Sequence, residues 1–222
     1  MQYPVEDKED WRKDFVLLSE LPEQQMKKIG ITGTIASGKT TVCILLRRMG
    51  YSVFDSDGYS RILYQKTNPC YEKVVALLGD GILDEFGEID RKKTAALIFH
   101  NEDLRKGLNA IVHPAVIEGM NRFFDHHQEE DLVFVEVPLL YEAHMESCFD
   151  EILILACAKE TAIQRMMEDR GYTEEEALAR YAAMIHHEDS EPGRVTVLYN
   201  DSTIKALYEK VLAYVEERSV TE

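Results

Sequence analysis

Apolar residues fall along the chain in two rhythms. Short β-branched or nearly continuous apolar runs occupy 29–32, 51–54, 132–140, 152–157 and 195–199, and such runs predict strands. The stretches 42–49, 102–112, 159–170 and 204–215 read instead as amphipathic helices. The run Leu132-Val133-Phe134-Val135-Glu136-Val137-Pro138-Leu139-Leu140 is so evenly apolar that it predicts a buried parallel strand. Residues 59–127 read as mainly helical, broken at 78–90 by glycines and short apolar pairs that predict tight turns or a small hairpin. At His113-Pro114 one helix is expected to end and another to begin, since proline suits a helix's first turn. Ahead of the first strand, Trp11, Phe15 and Leu18 follow Asp10 at helical spacing and predict a short docked helix. Met26-Lys27-Lys28 makes a natural opening for the first strand, so residues 1–26 are expected to be peripheral.

Between the first strand and the first helix stands Gly33-Thr34-Ile35-Ala36-Ser37-Gly38-Lys39-Thr40-Thr41. Two glycines spaced by four residues, with Lys and Thr after the second, fit the phosphate-cradling P-loop, and strand before with helix after is the context that pattern requires. Backbone N–H groups would line a nest at the positive end of a helix, a natural site for polyphosphate. Lys39 can reach the β and γ phosphates, and the Thr40 hydroxyl suits a magnesium ion bridging them.

The second strand runs into Asp55-Ser56-Asp57, which puts two carboxylates at a strand's carboxyl end. Ligands of open parallel α/β sheets bind at that edge, and strand alternation would point both aspartates the same way. Asp57 is the candidate for activating a substrate hydroxyl; a helix cap accounts for the other carboxylate. Glu136 interrupts an apolar strand, where a lone carboxylate is costly unless paired or hydrated. It is expected either to organise charge around the magnesium site or to face water at an edge. His113 stands at a helix junction, a place that is usually structural, though its titration near neutrality suits a phosphate contact. Arg170-Gly171-Tyr172-Thr173 followed by Glu174-Glu175-Glu176 carries a turn glycine and a capping box, so a helix pair bearing Arg165 and Arg170 is expected to form a lid.

The net charge of −16 over 222 residues argues against a nucleic-acid surface, which needs clustered Lys and Arg. Against that background Arg61, Lys66, Lys73, Arg91, Lys92, Lys93, Arg105 and Lys106 gather between the second and third strands, as an anionic substrate would require. Cys43, Cys70, Cys148 and Cys157 form no C-x-x-C pair and suit reduced thiols. No apolar run is long enough for a bilayer, and no basic start with an apolar centre marks a signal peptide. A cytoplasmic protein, monomer or small homo-oligomer, with no nucleic-acid or membrane partner, is expected.

Taken in order, the P-loop, Asp55-x-Asp57 with Arg61, Ile89-Asp90-Arg91, Val112-His113-Pro114, Val137-Pro138-Leu139-Leu140 with Glu142, Gln164-Arg165 and Tyr199-Asn200-Asp201-Ser202 resemble the dephospho-coenzyme A kinase family from about Lys27 to Val215. The resemblance implies an α/β P-loop fold of the nucleoside-monophosphate-kinase kind, three-layered on a five-stranded parallel sheet. It implies a core of 27–57 with 128–165 and 191–222, a helical coenzyme A domain at 58–127 and a lid at 166–190, with 1–26 as an N-terminal extension. It further implies transfer of the ATP γ-phosphoryl group, with Mg²⁺, to the ribose 3′-hydroxyl of dephospho-CoA, the final step of coenzyme A biosynthesis. By resemblance Asp57 is the general base, Arg61 a substrate-side residue, Arg165 the lid arginine and Asn200 a neighbour of the adenine; Arg91 and His113 belong to the matching motifs on the substrate side. The family's lid order of Arg before Asp is here Asp169-Arg170, which turns the second guanidinium by about 100 degrees on a helix and leaves Arg165 as the expected participant.

Two other readings use the same loop. Another small-molecule P-loop kinase, with a nucleotide or sugar-acid acceptor, is disfavoured for small neutral substrates by the basic insertion, and a non-catalytic nucleotide-binding protein is disfavoured by intact Lys39, Thr40 and Asp57. A GTPase match at Asp55-Ser56-Asp57-Gly58 lacks any Asn-Lys-x-Asp segment to read guanine.

Overall fold

A β-branched run with a partner on each side makes Lys27–Gly33 (β1) the central strand of the sheet. The structure is a computed structural model and describes residues 26–99, 101–183 and 193–219; the helix expected around Trp11, Phe15 and Leu18 lies outside them. Strand β1 pairs with Leu132–Glu136 (β3) and with Glu151–Ala156 (β4), while Ser52–Asp55 (β2) and Val195–Tyr199 (β5) form the edges. The order is β2-β3-β1-β4-β5 and every pairing is parallel. The numbered strands are linked through helices α1 (Lys39–Arg48), α2 (Ser56–Leu63), α3 (Pro69–Leu78), α4 (Arg91–Phe99), α5 (Glu102–His126), α6 (Lys159–Arg170) and α7 (Glu174–Ala182), and α8 (Ile204–Ser219) follows the last strand.

Strand alternation divides the core into two layers. Ile29, Ile31, Phe134, Leu153 and Leu155 pack with Val42 and Leu46 of α1 and with Leu207 and Val211 of α8. Val133, Val135, Ile152 and Ile154 pack on the other side with Met120 and Phe124 of α5. A third cluster joins Leu63, Val74 and Ile82 to Leu108, Val112 and Val116 of α5. This is the three-layer α/β arrangement on five parallel strands that the resemblance implied.

Three local expectations differ from what forms. Pro114 divides nothing: α5 runs through it as one helix of 25 residues. Proline removes an i→i−4 bond, but Leu108, Val112 and Val116 before and after it pack in the insertion while Met120 and Phe124 pack on the sheet, so tertiary burial on both sides of the proline carries the helix across. Strand β2 stops at Asp55, and Ser56 already opens α2; the two aspartates therefore do not share a strand face. Glu136 does not stand at an edge, because β3 lies between β2 and β1, and it is 9% exposed. The turns expected at 78–90 do form, as a 3₁₀ turn at Asp80–Ile82 and an antiparallel bridge between Leu83 and Ile89.

At the amino ends of β4 and β5, Arg218 of α8 donates from Nε to both Glu151 carboxylate oxygens at 2.8 Å and lies over the Tyr214 ring at 3.7 Å. Thr196 and Tyr214 hydroxyls donate to the same carboxylate at 2.9 and 3.1 Å. Burial alone would raise the Glu151 carboxyl, but these donors outweigh it and hold it below the ordinary 4.5. No helix of the described residues is long and apolar enough to cross a membrane. Removing one partner of a buried ion pair costs about 3–5 kcal/mol, so Arg218→Ala should lower the urea midpoint by a corresponding amount. Because the folded carboxyl ionises below its unfolded value, that contribution is present above about pH 4.5 and is lost as pH falls through the folded value. A variant with the wild-type midpoint at neutral pH would refute this.

Candidate active site

The loop after β1 owes its shape to glycine at both ends. A Cβ on Gly33 (φ 141°) would lie 2.0 Å from the Leu155 carbonyl oxygen, and one on Gly38 (φ 95°) would lie 2.4 Å from Asn200 Nδ2. Between them Ala36 holds φ 58°, a strained value for a residue with a side chain. The carbonyls of the loop are taken by side-chain donors. Lys39 Nζ donates to Gly33 O and Thr34 O, each at 2.8 Å; Arg165 Nη1 donates to Ala36 O at 3.1 Å; Asn200 Nδ2 donates to Ser37 O at 2.8 Å. Gly38 supplies no side-chain cap to α1, so the amides of the first turn remain for a ligand. Ser37 Oγ is buried without a hydrogen-bond partner, a polar group that a loop packed for its own sake would not leave.

These groups border a cavity of about 470 Å³, lined by Ala36, Gly38, Lys39, Thr40, Thr41, Arg165, Asp169, Arg170 and Asn200 together with Ser202, Ile204 and Leu207. Its size is that of a small-molecule site. Burial pushes the Lys39 ammonium down, Glu136 pulls it back up, and Arg170 lowers it further. Glu136, opposite Ile31 of β1, is thus near enough for its charge to oppose the desolvation of Lys39. Burial, then Glu136, pushes the Cys43 thiol far up, which leaves it inert.

A second cavity, of about 170 Å³, opens between α2, α5 and the turn after β3, and its lining includes Ser56, Asp57, Ser60, Tyr64, Asn109, His113 and Leu139. Asp55 caps α2 by accepting from Gly58 N at 2.8 Å, and Ser56 Oγ donates to Glu136 O at 2.7 Å. Asp57, in the first turn of α2, is exposed. Burial lowers the His113 pKa below 6.5, so its imidazole is neutral at neutral pH.

The sequence-derived candidates therefore separate into groups. Ala36, Gly38, Lys39, Thr40, Thr41, Arg165 and Asn200 come together around the first cavity, with Gly33, Thr34, Ile35 and Ser37 in the same loop. Asp57 and His113 meet in the second. Arg61 and Arg91 are exposed and line neither of these two cavities. Other basic residues of the insertion serve the local structure: Lys93 Nζ donates to Leu83 O at 2.5 Å, and Lys66 donates to Phe86 O. Arg170, set aside by the helix-rotation argument, does line the first cavity beside Asp169. Tyr64 and Asn109 carried no sequence signal, because only the packing of α2 on α5 brings them to Asp57. Among the described residues no group of three or more His, Cys, Asp or Glu side chains is arranged to hold a metal ion.

Gly38→Ala should abolish binding of a fluorescent ATP analogue while leaving the circular dichroism spectrum intact, since the added methyl meets Asn200 and strains φ; retained binding would show that the loop tolerates the change. The His113 ring, followed by NMR titration, should titrate with a midpoint below 6.5, and a midpoint at or above that value would place the ring in water.

The family profile described as Dephospho-CoA kinase matches residues 27–206. A dephospho-CoA kinase of Bacillus cereus is 40% identical over 178 residues, covering 79% of this chain and 89% of that protein. That of Geobacillus kaustophilus is 37% identical over 196 residues, covering 85% and 95%. Among solved structures, a Thermus thermophilus protein aligns with a TM-score of 0.74 at 33% identity, covering 89% of this chain and all of the other. A Campylobacter jejuni dephospho-CoA kinase shares the fold at a TM-score of 0.65 and 21% identity, covering 86% and 96%. With a profile match from the first strand into the last helix and relatives at this identity over most of their length, the chain belongs to the dephospho-CoA kinase family.

Proposed function

We propose that this protein transfers the γ-phosphoryl group of ATP to the ribose 3′-hydroxyl of dephospho-CoA, giving coenzyme A and ADP. One observation beyond family membership carries the reading: an unpaired carboxylate and a phosphate nest stand at the carboxyl ends of β2 and β1, the two strands that flank β3. Ligand sites of parallel sheets form along that edge. The polyphosphate takes the first cavity and the ribose end of the acceptor takes the second, with Asp57 at the acceptor.

In the reaction the Asp57 carboxylate accepts the 3′-hydroxyl proton as the oxygen attacks the γ-phosphorus, and the bond from that phosphorus to the bridging oxygen of ADP breaks. Lys39 leaves its loop carbonyls to meet the phosphates, and Arg165 and Arg170 add positive charge where the transferring group carries its negative oxygens. Neutral His113 and the hydroxyls of Ser60 and Tyr64 offer uncharged hydrogen bonds to the acceptor. Mg²⁺ held by the Thr40 hydroxyl, at the exposed first turn of α1, would neutralise phosphate charge; a single protein ligand suits an ion that keeps its waters and phosphate oxygens. Residues 166–190 act as a lid that excludes water from the primed phosphoryl group, its part from 184 on lying outside the described residues. Arg61 and Arg91 serve the distal, charged portion of the substrate. A cytoplasmic enzyme without a nucleic-acid partner suits a chain of net charge −16.

Coupled ADP release tests the reading, with dephospho-CoA, adenosine monophosphate, shikimate and buffer as separate arms. Turnover is expected with dephospho-CoA; its absence there, or equal rates in every arm, would overturn the assignment. Asp57→Asn should lower kcat by about a hundredfold or more with ATP binding retained. An unchanged kcat would remove Asp57 from the chemistry.

A further inference from the structure

The Asp57 carboxylate makes no hydrogen bond or ion pair with the described residues and is exposed, so its place depends on where the backbone of α2 lies. Two contacts fix the start of that helix, the Asp55 cap on Gly58 N and the Ser56 bond to Glu136 O. Neither reaches past the first turn. The next hold on the helix is Tyr59, two residues after Asp57.

Tyr59 lies against Gly119 in the interior of α5. Glycine is unfavourable in a helix interior relative to alanine, and Gly119 has no positive φ to justify it. Space does. A Cβ at 119 would approach Tyr59 Cε1 at 2.3 Å, Cζ at 2.4 Å and the hydroxyl oxygen at 2.8 Å. The missing methyl is thus a notch that the phenol ring fills. The ring also meets Phe54 of β2, centroids 5.2 Å apart, and Phe54 in turn meets Phe123 of α5 at 5.5 Å. The Tyr59 hydroxyl accepts from Arg122 Nη2 at 2.7 Å, and Arg122 is steadied by Glu118 one turn earlier, at 2.8 Å. Notch, aromatic wall and tether together restrict the ring in translation and rotation.

We propose that Tyr59, fitted into the Gly119 notch and tethered by Arg122, is the positioning residue that aims Asp57 at the acceptor hydroxyl. The proposal rests on the reading of Asp57 as general base. Tyr59 touches no reacting atom; it acts by setting the tilt of α2. A displacement of about an ångström at a reacting group can lower a rate by about a hundredfold, so a single methyl in the notch is enough to register.

The test compares the wild-type protein with Gly119→Ala, Tyr59→Leu, the double variant and Arg122→Met. Amide shifts of residues 57–60 in the ¹⁵N NMR spectrum report the position of α2 without any turnover. Gly119→Ala should move them and the double variant should return them toward wild type, because leucine vacates the space the methyl needs. In the ADP-release assay Gly119→Ala should lower kcat about tenfold or more with the ATP dissociation constant within about twofold, and the double variant should exceed the product of the two single effects. Arg122→Met, which leaves the core intact, should lower kcat severalfold at an unchanged melting temperature, and it decides the matter if Gly119→Ala does not fold. Unmoved α2 amides in Gly119→Ala, or wild-type kcat in both Gly119→Ala and Arg122→Met, would overturn the positioning role. A wild-type protein silent with dephospho-CoA whose α2 amides still respond would overturn the functional reading and leave the aiming of α2 standing.

Discussion

The phosphate loop faces outward because other side chains hold its carbonyls inward. A backbone that turns its C=O groups to one side turns its N–H groups to the other, and each carbonyl needs a partner once buried. Here one partner is local, Lys39 at the start of the first helix, and two are distant in the chain, Arg165 from α6 and Asn200 from the end of β5. Arg165 binds both Ala36 O and, at 2.9 Å, Asn200 O, so the last two form one brace across the sheet's carboxyl edge. The close passage of Gly33 past Leu155 admits no side chain and ties this brace to the register of β1 on β4. Asn200 and Arg165 are therefore parts of the loop as much as its glycines are.

Charge follows the same economy of place. A chain of net charge −16 repels anions at a distance, but screening at physiological salt limits that field to about 8 Å. The positive charge at the first cavity is local, Lys39, Arg165 and Arg170 in one lining, with the buried Glu136 acting on Lys39. The Glu136 charge opposes the downward push that burial gives the Lys39 ammonium, and in the sheet it lies opposite both Ile31 and Asp55.

The loop and its strand and helix could be read from sequence because the pattern that marks them lies within about twenty consecutive residues, 27–48, whereas the bracing by Arg165 and Asn200 is tertiary. Asp57 was legible as a strand-end carboxylate, yet its direction was not: alternation assumed a strand where Ser56 begins a helix. Glu136 could not be placed without the strand order, which is a tertiary fact. The continuity of α5 through Pro114 was hidden for a similar reason, since local rules count the lost bond but not burial on two separate clusters. Arg170 was judged by rotation about its own helix, whereas a cavity of this width takes lining from both Asp169 and Arg170. Clustering of basic residues in sequence overstated their convergence, because Lys66 and Lys93 are bonded to nearby backbone carbonyls.

Arg165 also constrains how the arginine-bearing helix can move. Its guanidinium is bonded to Ala36 O and Asn200 O, and Ala162 and Met166 on the same helix are fully buried. The first turns of α6 are therefore fixed to the core, and a swing of the whole helix would break the brace that shapes the phosphate loop. Beyond Met166 the side chains of 167–170 are exposed, and Gly171 ends the helix in the left-handed region at φ 68°. Any movement of the end of α6 that leaves the loop intact must therefore bend between the braced turns and this glycine, with Arg165 inside the brace and Arg170 beyond it.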